Sequence, residues 1–416
     1  MKRKTSFRTL CQELFLTARF FAQNGLLTHA SACAFGFLFS LLPVIIMTAT
    51  ILIRILHASP DILISLFENT NFLPNTINIP HLVNSFLNLK GNGVFYIVIS
   101  FTLIWMARQL FNSIMKGIRC IFHTEAKHKA IFSQFLSFAG EIILVIFLAL
   151  IIFFFAATKS LLETSFLLPL IPKFIQNIGE TLLNFLPATL MLIIITFSLK
   201  IASGTNPKLK HCFFVAIFCT ILFTGFRFIF NFVVDTSKYN LIYGVFSTMI
   251  ILLLEVFTFF SLFLFFAQIL FVHQFFDQLL LAELYLLPDK NNTNIFAVLR
   301  RIMFIQPDYF ERKKTSMFLY KKDNIIFQAE EKTNYVYYVA EGSVVLTKEN
   351  NITYCDKGGF FGEEACILGH SQEKTAIAET DTKIIKIENE TFLAMLEKNP
   401  EAHRLALSKI ISKIHY

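Results

Sequence analysis

YGVFSTMIILLLEVFTFFSLFLFFAQILF, Tyr243–Phe271, carries a single charged side chain, Glu255. A helix crosses the hydrocarbon of a bilayer with about 20 apolar residues, so this stretch reads as a membrane span. Five more stretches read the same way: Ala30–Arg54, Val94–Ile114, Ile131–Thr158, Leu182–Ile201 and Cys212–Val234. The composition agrees. Hydrophobic residues make up 55% of the 416 residues, 51 of them Phe, against about 45–50% apolar in soluble domains.

The net charge of +8 raises the question of a nucleic-acid partner. The basic residues are scattered along loops and tail, with no stripe interleaved with aromatics, so none is expected. The excess is assigned to loops facing anionic lipid. Seven cysteines form no CxxC pair and imply neither a disulfide framework nor a zinc site. The N-terminus has no compact apolar core ending in small residues, so no cleaved signal peptide is expected.

Ahead of the first span, FRTLCQELFLTARFFAQNGLL (Phe7–Leu27) places Phe7, Leu10, Cys11, Leu14, Ala18, Phe21 and Ala22 on one helical face. That pattern predicts an amphipathic helix in the membrane surface. Orientation follows from the cations. Lys2, Arg3, Lys4, Arg8 and Arg19 precede span one, Lys116, Arg119, Lys127 and Lys129 follow span two, and Lys208 and Lys210 follow span four. Two of the alternate loops, Leu56–Gly93 and Asp235–Asn240, hold one Lys each, Lys90 and Lys238. Both termini are therefore expected in the cytoplasm. The clear cases of charge inside spans are Arg108, Glu141, Arg227 and Glu255. Charge at membrane depth is costly, so these residues either line a polar path or substrate contact, or form buried pairs and snorkel.

Three segments resemble the YihY/BrkB membrane proteins. HASACAFGFLFSLLPVIIM (His29–Met47) is similar to the family's first span at Ser40, Leu41 and Pro43, and ISFTLIWMARQLFNSIMKGIRCIF (Ile99–Phe122) to its second at Trp105 and Asn112. YNLIYGVFSTMIILLLEVF (Tyr239–Phe257) matches at Tyr239, Asn240, Tyr243 and Gly244. Glu255 stands where the family usually carries Trp, and Gln268 where it often carries Glu. The resemblance covers about residues 5 to 285 and implies a six-span protein of the bacterial inner membrane with a transport, export or envelope role. A ribonuclease label once attached to the family finds no support here, because the histidines show no HxxH spacing and the acidic residues do not cluster. The expectation is that the protein is not an enzyme.

Past Phe276 the composition changes. LLPDKNNTN, Leu286–Asn294, is polar and turn-rich, and a basic bridge follows to Asp323. Beyond it come short β-branched and aromatic runs, NYVYYVAEGSVVLTKENN, ITYCDKGG and TAIAETDTKIIKIENE, with Gly342 as a turn. Two helical segments close the chain, ETFLAMLEKNP and EAHRLALSKIISKI. The division expected is a membrane domain over residues 1–285, a linker over 286–319, and a cytoplasmic β-roll with flanking helices over 320–416. The roll resembles the cyclic-nucleotide-binding fold. In GGFFGEEACILGHSQEKTAIAETD (Gly358–Asp381) the residues Phe361, Gly362, Glu363 and Ala365 match the opening of that family's phosphate cassette. Glycine allows close backbone approach to a phosphate, EEACIL adds a helix start, and the resemblance implies a ribose contact for Glu363. The cassette's arginine is missing. Aligned without gaps Gln372 takes its place, while a two-residue insertion puts Lys374-Thr375-Ala376 there instead. Gln lacks the charge and Lys is a point-charge substitute. Cyclic AMP or cyclic GMP is the regulatory ligand implied. The alternative is a roll kept as a scaffold, as a dock for a cytoplasmic protein, or as a sensor of another ligand.

Six spans with such a tail also describe nucleotide-gated cation channels. No span here repeats a cation every third residue, and DTSKYNLIY between spans five and six is too short for a selectivity filter. Two functions stay open: a transport or export protein regulated by its tail, and a non-transporting scaffold that recruits a partner. A water-lined cavity reaching Arg108, Glu141 or Glu255 favours the first, and charges paired in a dry bundle the second.

Overall fold

A computed structural model describes residues 7–50, 93–123, 173–233, 245–287, 295–304, 317–348 and 351–414. Helices stand on five of the six expected spans: α2 (Leu26–Thr50), α3 (Gly93–Phe122), α4 (Lys173–Ala202), α5 (Leu209–Val233) and α6 (Val245–Tyr285). The remaining one, Ile131–Thr158 with Glu141, lies outside the described residues. Among those described, Leu209–Phe230 and Met249–Tyr285 are long and apolar enough to cross a membrane, and Leu26–Ser40 and Ala188–Ala202 are shorter apolar helices. α1 (Phe7–Gln23) precedes them, as its periodicity predicts. The chain divides into two compact units, residues 17–271 and residues 1–16 with 272–416.

In the first unit α2 and α3 run backbone to backbone. A Cβ on Gly36 would sit 3.0 Å from Leu110 Cα, a closeness that small residues permit between membrane helices. Edge-on aromatic pairs fill the packing, with Phe122 and Phe271 centroids 5.6 Å apart and Phe21 and Phe265 5.5 Å apart. α4 ends at Ser203–Gly204, and Lys200 Nζ donates to the Pro207 carbonyl at 2.8 Å, fastening the turn into α5. Asn24 Nδ2 donates to Gln268 Oε1 at 3.4 Å, so the residue in the family's usual Glu position holds the turn between α1 and α2. The Arg108 guanidinium lies 5.4 Å from the Trp105 ring. Arg227 stands on α5 and Glu255 on α6.

The second unit is built around a β-roll. Its strands are β1 (Met317–Tyr320), β2 (Ile325–Phe327), β3 (Tyr335–Glu341), β4 (Ser343–Lys348), β5 (Asn351–Asp356), β6 (Phe360–Phe361), β7 (Thr375–Ala378) and β8 (Thr382–Glu388). They form two antiparallel sheets, ordered β1-β8-β3-β6 and β2-β7-β4-β5. β3 explains why its sequence is apolar without a break. Tyr337 and Val339 face the inside of the roll with Phe327, Val344, Phe361, Ala376 and Ile384. Val336 and Tyr338 face the other way, with Ile385 and Ile387 of β8. A strand buried on both faces loses the alternation of a half-exposed one.

Helices cover that outer face. α8 (Glu363–Leu368) lies between β6 and β7, and α9 (Asn389–Lys398) and α10 (Pro400–Ile414) follow β8. Asn399 caps α10, its Oδ1 accepting from the amides of Glu401 and Ala402 at 3.1 Å each, and Pro400 takes the first helical position, where its missing N–H goes unneeded. Phe392, Met395, Leu396, Ala402 and Ala406 pack on the sheet, and Leu281, Ala282, Leu284 and Tyr285 from the end of α6 share the same core. α6 departs from helical geometry at Phe275 (φ −109°, ψ 18°), just ahead of that last stretch.

α7 (Ile295–Phe304) is the described part of the bridge. Two donors of Arg300, Nε and Nη2, reach Glu283 Oε2 at 2.8 and 2.6 Å. Gln12 Nε2 donates to the Met303 carbonyl at 2.7 Å, and Phe15 meets Phe304 at 5.8 Å. On the opposite side of α1, Phe7, Leu10 and Leu14 are exposed.

Candidate functional site

β6 delivers the chain to Gly362, which adopts φ 80°, ψ 4° and starts α8; Gly369 ends that helix in the same left-handed region. Only glycine takes this conformation without strain. Space is closed to a side chain as well, since a Cβ on Gly362 would lie 3.1 Å from Gln372 Nε2 and 3.2 Å from Tyr337 Cδ2. Behind this turn Phe361, Tyr337 and Phe327 form a cluster of three rings in mutual contact, Phe361 lying 5.2 Å from Tyr337 and 5.8 Å from Phe327, and those two 5.0 Å from each other. The cassette therefore rests on a rigid aromatic floor.

Beside the turn lies a cavity of about 90 Å³, lined by Phe327, Leu346, Phe360, Phe361, the run Gly362–Ala365, His370 and the run Gln372–Lys374. The structure thus brings together the expected residues Gly362, Glu363, Ala365, Gln372 and Lys374. Their states differ. Glu363 is buried, and Lys409 Nζ of α10 donates to its Oε1 at 3.2 Å. Ala365 is buried within α8, and its carbonyl accepts from the Gly369 amide at 3.0 Å.

Gln372 is buried too. Its Nε2 donates to Thr333 Oγ1 at 2.8 Å and reaches the Gly362 carbonyl at 3.5 Å, while its backbone exchanges bonds with Glu331 (3.0 Å) and Glu330 (2.7 Å). The residue in the gapless arginine position thus ties the cassette to the loop before β3. Lys374 Nζ donates to Thr353 Oγ1 of β5 at 3.2 Å. Thr375 Oγ1 accepts from the Ala329 amide at 3.1 Å, which holds the start of β7 against the end of β2.

Charge around the cavity is mixed. Glu363, Glu364 and Glu373 face it along with Lys374 and His370, and Lys348 Nζ holds Glu373 Oε2 at 2.6 Å. Burial pushes the Cys366 thiol up to about 11, with the Glu363 charge adding to it. For a cyclic nucleotide, the half of the site that would meet ribose is in place: a buried carboxylate beside a glycine turn. The half that would meet phosphate is not, because Gln372 is spent on Thr333 and Lys374 on Thr353. The cavity is also smaller than the roughly 300 Å³ at which small-molecule pockets begin.

Sequence reasoning did not pick out Lys409, Thr333 or Tyr285. Thr333 and Lys409 lie 39 and 46 positions from their partners, and no spacing rule connects a helix lysine to a turn so far upstream.

A family model described as Virulence factor BrkB matches residues 17–278, and one described as Cyclic nucleotide-binding domain matches residues 318–399. Among solved structures, the Thermus thermophilus catabolite activator protein is similar at 21% identity, over 26% of this chain and 54% of that one (TM-score 0.22). The sensor domain of the transcriptional regulator DNR from Pseudomonas aeruginosa is similar at 20% identity, over 24% and 78% (TM-score 0.22). The EAL enzyme Bd1971 in its cAMP-bound form is similar at 20% identity, over 24% and 28% (TM-score 0.21). The chain thus spans about half the length of the first and less than a third of the last.

Proposed function

The chain belongs to the BrkB family of membrane proteins and carries a cyclic-nucleotide-binding domain, and from that premise we propose a multi-pass inner-membrane protein whose transport, export or envelope activity is regulated by a cytoplasmic nucleotide sensor. On this reading both termini lie in the cytoplasm and the protein performs no catalysis.

One observation carries the proposal: Leu281, Ala282, Leu284 and Tyr285 of α6 are core residues of the sensor. α6 has 41 residues, so at 1.5 Å per residue it is about 60 Å long, roughly twice the hydrocarbon thickness. Its N-terminal part spans the membrane and its last turns stand in the cytoplasm. A sensor that shares its core with those turns cannot rearrange there without moving the helix end, and the break at Phe275 supplies a joint. A ligand shifts the membrane domain only as far as it binds one arrangement better than the other. We assign the ligand to the cyclic nucleotides, with Glu363 meeting the ribose hydroxyl and Lys374 turning from Thr353 toward the phosphate.

The test is calorimetric titration of the full chain in detergent with cyclic AMP and cyclic GMP, with hydrogen exchange followed over residues 276–285. Binding that Glu363→Ala abolishes, accompanied by altered exchange in that segment, is expected. A folded protein that binds neither nucleotide refutes the ligand assignment. The second reading, a scaffold whose tail recruits a cytoplasmic protein, is favoured by the engagement of Gln372 and Lys374 within the domain itself.

A further inference from the structure

We propose that Lys409 is the built-in occupant of Glu363, and that a ligand gains this carboxylate only by displacing the lysine. The proposal rests on the reading of the cassette as a nucleotide site and specifies how that site is regulated.

Glu363 is 8% exposed, and a carboxylate so placed is costly to leave without a cation or donor. Lys409 supplies both, its Nζ lying 3.2 Å from Glu363 Oε1. A ribose 2′-hydroxyl seeks the same oxygens, since a hydroxyl donates one hydrogen bond to a carboxylate much as an ammonium does. The two are therefore competitors for one acceptor.

The same ammonium has a second face. Lys409 Nζ lies 4.4 Å from the ring centroid of Tyr285, the last residue of α6, and cations hold to aromatic faces at such distances. Tyr285 is wedged between Phe360, which leads into the cassette, at 5.2 Å and Phe392 of α9 at 5.6 Å. Its hydroxyl is buried with no hydrogen-bond partner among the described residues. An unpaired buried hydroxyl is unfavourable, so this arrangement is one the junction can leave with relief. Lys409 itself is partly exposed, while its helix is anchored separately by buried Ala402, Ala406 and Ile410. The ammonium can therefore leave Glu363 while α10 stays docked. Displacement at the cassette in this way removes a contact from the end of the membrane helix.

The test compares wild type, Lys409→Met and Glu363→Gln as full chains in nanodiscs, titrated with cyclic AMP and 2′-deoxy cyclic AMP. Losing a partly exposed charged competitor is expected to tighten cyclic AMP about three- to fivefold in Lys409→Met. The 2′-deoxy nucleotide, which does not contend for Glu363, changes less than twofold. Unchanged or weaker cyclic AMP binding in Lys409→Met overturns the proposal. Should neither wild type nor Lys409→Met bind any nucleotide, the ligand assignment fails, and the occupancy of Glu363 is judged by exchange over residues 281–285 without ligand. Faster exchange in each single variant, with no further gain in the double, supports the lock. Exchange at the wild-type rate in both refutes it.

Discussion

Replacing Arg300 by Met removes the partner of a carboxylate that solvent does not reach. Glu283 is fully buried and Arg300 19% exposed, and both guanidinium donors converge on one oxygen. Breaking a buried pair from one side costs about 3–5 kcal/mol, and the partial exposure of Arg300 argues for the lower figure, about 3 kcal/mol. At about 1.4 kcal/mol per tenfold, α7 should open on the order of a hundred times more often. Hydrogen exchange in detergent over residues 295–304 reads this directly. Arg301→Met is the control, since Arg301 Nε bonds the Ala297 carbonyl one turn back at 3.4 Å, and its exchange should stay within about threefold of wild type. Replacing the pair by Met at both positions should restore most of the protection, because two apolar side chains leave no stranded charge. Equal exchange in Arg300→Met and Arg301→Met, or a double variant as open as the single, would show that the ion pair is not what holds α7 to α6.

Gly362→Ala forces a side chain into the left-handed region and against Gln372 and Tyr337, so the sensor should lose about 1–3 kcal/mol; protection of β3 and β7 unchanged within 0.5 kcal/mol, about the size of a neutral surface substitution, contradicts the clash. Phe392→Ala empties the centre of the core shared with Tyr285 and should cost about 3–5 kcal/mol, read as lost protection in β3, β8 and residues 281–285 together; loss confined to the strands would mean that the end of α6 is not part of that core. The Cys366 thiol, raised from the ordinary 9.0 to about 11, holds about a hundredfold less thiolate at pH 8 than an unperturbed thiol. Alkylation by iodoacetamide should therefore keep accelerating beyond pH 10 in the folded protein, and a rate that levels near pH 9 contradicts the burial argument.

The roll was legible because its signals are local. Apolar and β-branched runs broken at Gly342 and at Lys357–Gly359 mark strands and turns, and Pro400 divides the two closing helical segments. The cassette's opening was legible from Phe361, Gly362, Glu363 and Ala365 for the same reason. What lay hidden was long-range. α6 shows no amphipathic stripe, and although the expected span ended at Phe271, nothing local in the sequence said that Leu281–Tyr285 would join the core of β3 and α9. Gln372 read as a weakened phosphate contact; its use as a brace depends on Thr333, whose side chain is brought near only by the closure of the roll. Lys409 was invisible for a related reason. On a helix surface a lysine is the commonest of solvated residues, and only the docking of α10 turns it toward Glu363.

Residues 279–317 fall between the two family matches, yet Leu281, Ala282, Leu284 and Tyr285 are buried with the strands of the second. The two halves of this chain are thus not interchangeable cassettes of sequence. A recombination event that joined the BrkB-type half to a different sensor at the polar run Pro288–Asn294 would carry four bare apolar side chains into its new context. It would also leave an open slot beneath Val336, Ile385 and Phe392 in the sensor left behind. A join placed upstream, near the helix break at Phe275, keeps Leu281–Tyr285 with the strands they are buried against.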